Sequence, residues 1–266
     1  MDNLTHWLSF GAGVNSVAYY FYMIEKGVDF EAVFADHGAD GEETYRYMDY
    51  FNNELVKRGL KPVTIIEGKV QEKSMDKPLG LLQYCYLKKT MPKMMFRWCT
   101  DKFKIIPVNM YINSKLAGGE NEKCYYHLGI AWDESDRAHA PEAPPAYLRN
   151  KIYQYWFVED GLTRQDNIDL IKKHGIEVPP KSGCYFCPFQ SDKEFRRIYE
   201  ESTCTYEKIK LLEHSTNKRR KEAGLKPTYL RGKPIEIIVH EGQFEWDADT
   251  GETFNYDTRK PCNCGL

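Results

Sequence analysis

Two groups of residues in this 266-residue chain have the types and spacing that chemistry requires. The first is Ser9-Phe10-Gly11-Ala12-Gly13-Val14-Asn15-Ser16. Small residues let backbone N–H groups approach an anion closely, and a helix N-terminus adds partial positive charge. Ser9, Asn15 and Ser16 add polar side chains. The segment is not a Walker A loop, because no Gly-Lys-Ser/Thr follows. A tight turn capped at Asn15 is the plainer alternative. The second group is the cysteines, eight in all. Cys184-Tyr185-Phe186-Cys187, set between Gly183 and Pro188, has the spacing of two metal ligands on a knuckle. Soft thiolates suit an iron–sulfur cluster or zinc. Two thiolates do not complete a site, so further ligands must come from elsewhere, with Cys204 and His214 as candidates. Cys262 and Cys264 form another close pair, with Arg259 and Lys260 nearby to favour a thiolate. Cys85 and Cys124 read as small buried hydrophobes.

The elements that must position these groups alternate. Leu4–Phe10 is a short apolar run, followed by the glycine-containing joint and a helix-compatible stretch Asn15–Glu25. Phe30–Ala35 is a second strand closed by Asp36-His37-Gly38. Glu42–Lys57 is a helix, and Pro62–Ile66 a third strand. This repeat of strand and helix with short joints predicts a parallel sheet with right-handed crossovers. Asp36 then falls at the carboxyl end of a parallel strand, where open α/β sheets bind ligands; a simple turn-forming Asp is the alternative. Farther on, Ile105–Lys115 reads as a helix with Pro107 near its first turn, Lys123–Ile130 as a strand, Arg137–Pro145 as a loop and Thr163–His174 as a helix. Asp192–Lys221 reads as a long amphipathic helical region, and Ile235–Cys264 as strand pieces and a tail. The expected division is a nucleotide-binding domain over 1–190 and a helical, irregular extension over 191–266.

Charge and composition narrow the classes. The net charge of −2 argues against a protein that coats DNA by electrostatics alone. It is an average, however. Lys88–Lys104 carries six Lys/Arg against one Asp, with Met and aromatic residues between, whereas Pro234–Lys260 carries two Lys/Arg against seven Asp/Glu. In the first stretch Lys93, Arg97, Lys102 and Lys104 suit phosphates or a polyanionic substrate. Asn217–Lys221 reads as a solvated helix end. No apolar run reaches the length of a membrane span and no basic, apolar leader opens the chain, so the expectation is a cytoplasmic protein without a membrane partner.

The motifs together resemble a family. Ser9, Gly13 and Ser16 match the phosphate loop Ser-x-Ser-Gly-Gly-x-Asp-Ser of the PP-loop ATP-pyrophosphatases and the 3′-phosphoadenylylsulfate (PAPS) reductases, with Gly11, Ala12 and Asn15 as variants. Asp36-His37-Gly38 with Glu42-Glu43-Thr44 is similar to the family's Asp-Thr-Gly and Glu-Thr. Cys99 with Lys104 and Pro107 resembles its Cys-x-x-x-x-Lys-x-x-Pro segment. Gly129 with Glu134 and Arg137 resembles its Gly-x-Arg-x-x-Glu segment, with Ala131 in place of Arg. Gly183-Cys184-Tyr185-Phe186-Cys187 resembles its Gly-Cys-x-x-Cys segment. These matches run in family order from Ser9 to Phe189.

The resemblance implies a Rossmann-like, mostly parallel sheet of the adenine nucleotide α-hydrolase type. It implies ATP or adenylyl sulfate held by Ser9, Gly11, Gly13, Asn15, Ser16, Asp36, Gly38 and Gly129, with Mg²⁺ at the phosphates. Cys99, Cys184 and Cys187 would ligate a four-iron four-sulfur cluster, with zinc as the alternative and an open iron, Cys204 or a tail cysteine in the fourth position. Lys104 and Glu134 would be catalytic. Three functions follow from it. One is an iron–sulfur sulfurtransferase that adenylylates an acceptor, such as a nucleic acid, with release of pyrophosphate. Another is a sulfonucleotide reductase with Cys264 as nucleophile and a thioredoxin-like reductant. The last is a zinc-stabilised binding module. Oligomers are compatible with each.

Overall fold

The computed structural model describes residues 4–240; Cys262 and Cys264 lie outside the described residues. In chain order the elements begin β1 (His6–Ser9), α1 (Val14–Glu25), β2 (Phe30–Asp36), α2 (Glu42–Lys57), β3 (Thr64–Glu67) and α3 (Leu81–Lys88). They continue with α4 (Trp98–Thr100), a π turn over Asp101–Ile105, α5 (Ile106–Lys115), β4 (Cys124–Leu128), β5 (Lys151–Gln154) and α6 (Trp156–Glu159). The last are α7 (Arg164–Lys173), α8 (Asp192–Glu201), α9 (Thr203–Glu222) and α10 (Ile235–Val239). The described residues fall into two compact units. One comprises those through Gly80 and Cys99–Gly183; the other comprises Leu81–Trp98 and those from Cys184 onward.

The first unit is an α/β fold around a five-stranded open sheet of order β3-β2-β1-β4-β5. Every strand pair is parallel: Ser9 lies beside Val33 on one side and Leu128 on the other, and Asp36 beside Glu67. Period-two alternation sends side chains to two buried faces, as a parallel sheet requires. Leu8, Phe30, Ala32 and Phe34 join Val17, Tyr20 and Phe21 of α1, Phe51 of α2 and Ile171 of α7. Trp7, Val33, Ala35, Cys124 and Tyr126 join Val108 and Ile112 of α5 on the opposite face. Cys124 is therefore core packing, as its sequence context suggests.

The second unit is helical. Phe195 and Tyr199 of α8, Tyr206, Ile209 and Leu212 of α9, and Ile235 and Ile238 of α10 are buried, as are Phe186 and Cys85. The helical region expected over Asp192–Lys221 is present, divided in two at Ser202, whose backbone leaves the helix and whose Oγ accepts the Thr205 N–H. A serine hydroxyl offers the backbone this alternative to helix continuation, so the chain starts α9 afresh. One expectation fails: the Ile235–Val239 run is a helix and not a strand piece. The buried carboxylate of Glu213 on α9 accepts the Ile235 N–H at 2.9 Å and the Leu230 N–H at 3.0 Å, so a tertiary contact overrides β-branched propensity. Of the chain beyond these elements, α3, α4, β5 and α6 are missing from the sequence-derived pattern; each is eight residues or shorter.

Candidate functional site

In the first unit the strand order reverses at β1, with β2 on one side and β4 on the other. This is the topological switch point, where open α/β sheets form a crevice at the carboxyl ends of their strands. The Phe10–Gly13 joint leaves β1 at that point and opens α1. Ala12 is buried in the left-handed region at φ 56°. That conformation costs a non-glycine residue about 1–2 kcal/mol, so the surrounding joint must hold it. Gly13 is the N-cap of α1, and Ser16 folds back on it: Ser16 Oγ accepts the Gly13 N–H at 3.1 Å and donates to the Gly13 carbonyl at 2.9 Å. The N–H groups of Gly11 and Ala12 have no acceptor among the described residues. No acidic residue stands in the first turn of α1. The joint therefore presents unspent donors and a positive helix end, which is the physical requirement for holding an anion.

The other residues singled out from the sequence reach the same edge, but several are already engaged. Ser9 shares a hydrogen bond with the buried Tyr126 hydroxyl. Asn15 does not point its amide into open space: Nδ2 donates to Glu134 Oε2 at 3.1 Å, and Oδ1 accepts from Asn167 Nδ2 at 3.2 Å. Glu134 also pairs with Arg137 at 3.0 Å. Asp133 Oδ1 accepts the Arg164 N–H at 3.1 Å. The segment after β4 is thus tied to the first turns of α1 and α7. Gly129 sits where α1 crosses the end of β4. A Cβ there would lie 2.8 Å from the Asn15 carbonyl oxygen and 3.2 Å from the Ser16 Cα, so only glycine lets the two backbones approach.

Beyond β2, Asp36 Oδ1 accepts the Gly38 N–H at 2.8 Å and the Tyr45 hydroxyl at 2.8 Å. Burial and the Asp36 carboxylate push the Tyr45 hydroxyl above the ordinary phenol range, which keeps it a donor. Asp40 lies buried in the same loop, with His37 Nε2 at 3.3 Å and Lys104 Nζ at 3.6 Å from its Oδ1. His37 Nδ1 accepts the Ala39 N–H at 3.2 Å, so Nε2 carries the proton that faces Asp40. Burial opposes charge on Asp40, yet Lys104 and His37 outweigh it and hold its carboxyl below the usual carboxylate range. Lys104 lies on the π turn. Pro107 has no N–H for the Phe103 carbonyl, and that carbonyl lies where a Gly68 side chain would begin, 2.3 Å from its ideal Cβ. Sequence reasoning singled out Asp36 and Lys104 and gave no role to Asp40, Tyr45 or Asn167. Asp40 was discoverable, because it closes the polar run Asp36-His37-Gly38-Ala39-Asp40.

The cysteines are divided between the units. Cys99 belongs to the first, and Cys184, Cys187 and Cys204 to the second. None of the six described cysteines is in a disulfide. The Cys187 N–H donates to the Cys184 carbonyl at 3.0 Å, and the Gln190 N–H to the Cys187 carbonyl at 3.0 Å. These two turns make a compact knuckle, anchored by the fully buried Phe186, and both cysteines are half-buried. That donor chemistry fits two positions of a thiophilic metal. Among the described residues of the second unit, no His, Cys, Asp or Glu pair joins either cysteine in a three-ligand group.

No protein-family model matches the chain, and no curated protein matches it. The structure establishes an α/β fold with a parallel five-stranded sheet, compatible with a Rossmann-like arrangement. No helix among the described residues is long and apolar enough to cross a membrane.

Proposed function

We propose that this chain is a PAPS-reductase-like enzyme that binds an adenine nucleotide at the β1 switch point and activates an acceptor with it for sulfur transfer. The observation that carries the reading is the Phe10–Gly13 joint, with its unspent Gly11 and Ala12 donors at the carboxyl end of the central strand. In this reading the joint and the α1 N-terminus receive the nucleotide phosphates. Asp36, fixed by Tyr45 and the Gly38 N–H, stands at the neighbouring strand end to meet the ribose or base. An acceptor oxygen attacks the α-phosphorus of ATP and pyrophosphate leaves; a sulfide then displaces AMP. The loop donors and Lys104 stabilise the charge that develops on the departing pyrophosphate. Asn15 and Glu134 act as positioning residues that hold the α1 end against the segment after β4. A bound iron–sulfur cluster or zinc ion would take Cys184 and Cys187 among its ligands and supply thiolate-metal chemistry to the sulfur.

Gly11 provides the test. Its position is open, with Ser16 Oγ the nearest atom at 4.0 Å from an added Cβ. Gly11→Val should leave the melting temperature unchanged while lowering ATP affinity at least about tenfold, because the side chain covers the donors. Calorimetric titration with ATP, alongside a pyrophosphate-release assay under anaerobic conditions, reads both effects. Equal ATP binding by the variant, or none by the unaltered protein, sinks the reading. Metal and labile-sulfide analysis of anaerobically purified protein decides between the cluster and zinc.

A further inference from the structure

The basic stretch identified from the sequence has a feature that the nucleotide site does not use. After α3 the chain turns through Lys89, which sits at φ 44°. The Lys89 N–H donates to the Tyr86 carbonyl and the Thr90 N–H to the Cys85 carbonyl, a Schellman closure of the helix. Glycine is the usual residue at this position. A lysine there is held in a strained conformation and left exposed to solvent. The following residues, 89–97, form no helix or strand. They place Met95 at 88% and Phe96 at 65% exposure, beside the exposed Lys93 and Arg97. The Arg97 guanidinium lies 5.5 Å from the centre of the Phe189 ring, which is itself 50% exposed. Lys89, Lys93 and Arg97 have no carboxylate within 4.0 Å among the described residues.

Aromatic and methionine side chains grouped on one exposed surface are costly to leave in water, and three cations lie beside them. A polyanion with flat faces satisfies both at once. Its phosphates pair with the lysines and its bases stack on the rings and the guanidinium plane. We propose that Lys89, Lys93, Phe96 and Arg97, with Phe189, form a binding surface for single-stranded nucleic acid. A membrane surface fits poorly, since the segment is not an amphipathic helix. A duplex fits poorly too, since its bases are already stacked and their faces are hidden. Such a strand would be the acceptor in the reaction proposed above, and only that use rests on the earlier reading.

Fluorescence anisotropy with a labelled random-sequence RNA of about 20 nucleotides, without ATP, tests the surface; the matching DNA, a duplex and vesicles of phosphatidylglycerol and phosphatidylcholine are the comparison arms. The single strand should bind with a log–log salt slope of about −1.4, from the two lysine–phosphate contacts at roughly 0.7 each. Phe96→Ala should weaken binding about tenfold and leave the slope unchanged. Lys93→Ala should weaken it and reduce the slope by about 0.7. Lys89→Gly should also weaken it, although the melting temperature holds or rises because glycine relieves the turn. That pairing separates a binding role from a structural one. RNA and DNA both support the inference, and their affinity ratio tells which is preferred. No binding at low salt overturns it. So do unchanged affinities in all three variants, binding to the vesicles alone, or equal binding of duplex and single strand. None of these outcomes touches ATP binding, which is measured separately.

Discussion

Gly129→Ala puts the geometry of the candidate site under direct strain. The added methyl would stand 2.8 Å from the Asn15 carbonyl oxygen, 3.0 Å from its carbon and 3.2 Å from the Ser16 Cα. All three are backbone atoms in the first turn of α1, so none can rotate aside. Restoring ordinary contact requires a displacement of roughly half an ångström, and overpacking of this kind costs about 1–3 kcal/mol. For a chain of this size that corresponds to a fall in melting temperature of roughly 2–10 °C. The element forced to move is the one that the joint with the Gly11 and Ala12 donors leads into. A shift of that size at a positioned anion should cost about tenfold in ATP affinity. Thermal unfolding and calorimetric ATP titration measure the two effects. A Gly129→Ala protein with melting temperature within about 1 °C and affinity within about twofold of the unaltered chain refutes the close approach of β4 and α1. A lowered melting temperature with unaltered affinity would place the nucleotide elsewhere.

Three further outcomes follow from specific contacts. Asn15→Asp brings a second carboxylate against Glu134, and with Glu134 partly exposed it should cost about 1–2 kcal/mol; adding Glu134→Gln should recover most of that loss in a double-mutant cycle read by urea unfolding. His127 is buried, with Tyr19 on one ring nitrogen and His6 on the other; burial, with His6 adding to it, pushes the imidazole down to about 3. The folded state keeps it neutral while the unfolded chain protonates near 6.5, so its contribution is whole above pH 6.5 and falls as pH drops, by about 2–3 kcal/mol at pH 4.5; unfolding midpoints of His127→Asn should lack this part of the acid sensitivity, and an identical pH profile would count against it. Glu213 runs the other way. Burial outweighs the two N–H groups it accepts and pushes its carboxyl up to about 7 from 4.5, so its contribution is full below pH 4.5 and is lost as pH rises through 7. Glu213→Gln should therefore gain about 2–3 kcal/mol on the unaltered chain between pH 4.5 and 7.5, and a difference that stays constant with pH would show the carboxyl is not buried.

Local signals carried much of the fold. The helix over Glu42–Lys57 is read residue for residue, because its apolar spacing is regular and its glycine boundaries are sharp. Thr163 predicts the start of α7 for a local reason: its hydroxyl accepts the Asp166 N–H, and Asp166 answers in a capping box. The parallel sheet follows from alternating elements and short joints. Sequence also singled out the β1–α1 joint and Asp36, because small and polar residues at strand ends stand out against apolar runs, and Lys104 and Gly129, because their segments resemble those of a known family.

What each of those residues does was decided by partners distant in the chain. Asn15 looked like a phosphate ligand, and it bridges Glu134 and Asn167, 119 and 152 residues away. Lys104 looked like one of several cations for a phosphate, and it faces the buried Asp40. Glu213 had no sequence signal at all, yet it caps α10 and turns a strand-like run into a helix. Periodicity and capping report interactions within a few residues, so one chain written in order reveals them. A hydrogen bond between distant segments exists only after the sheet has stacked its strand ends side by side, and no local pattern encodes which side chain will arrive there.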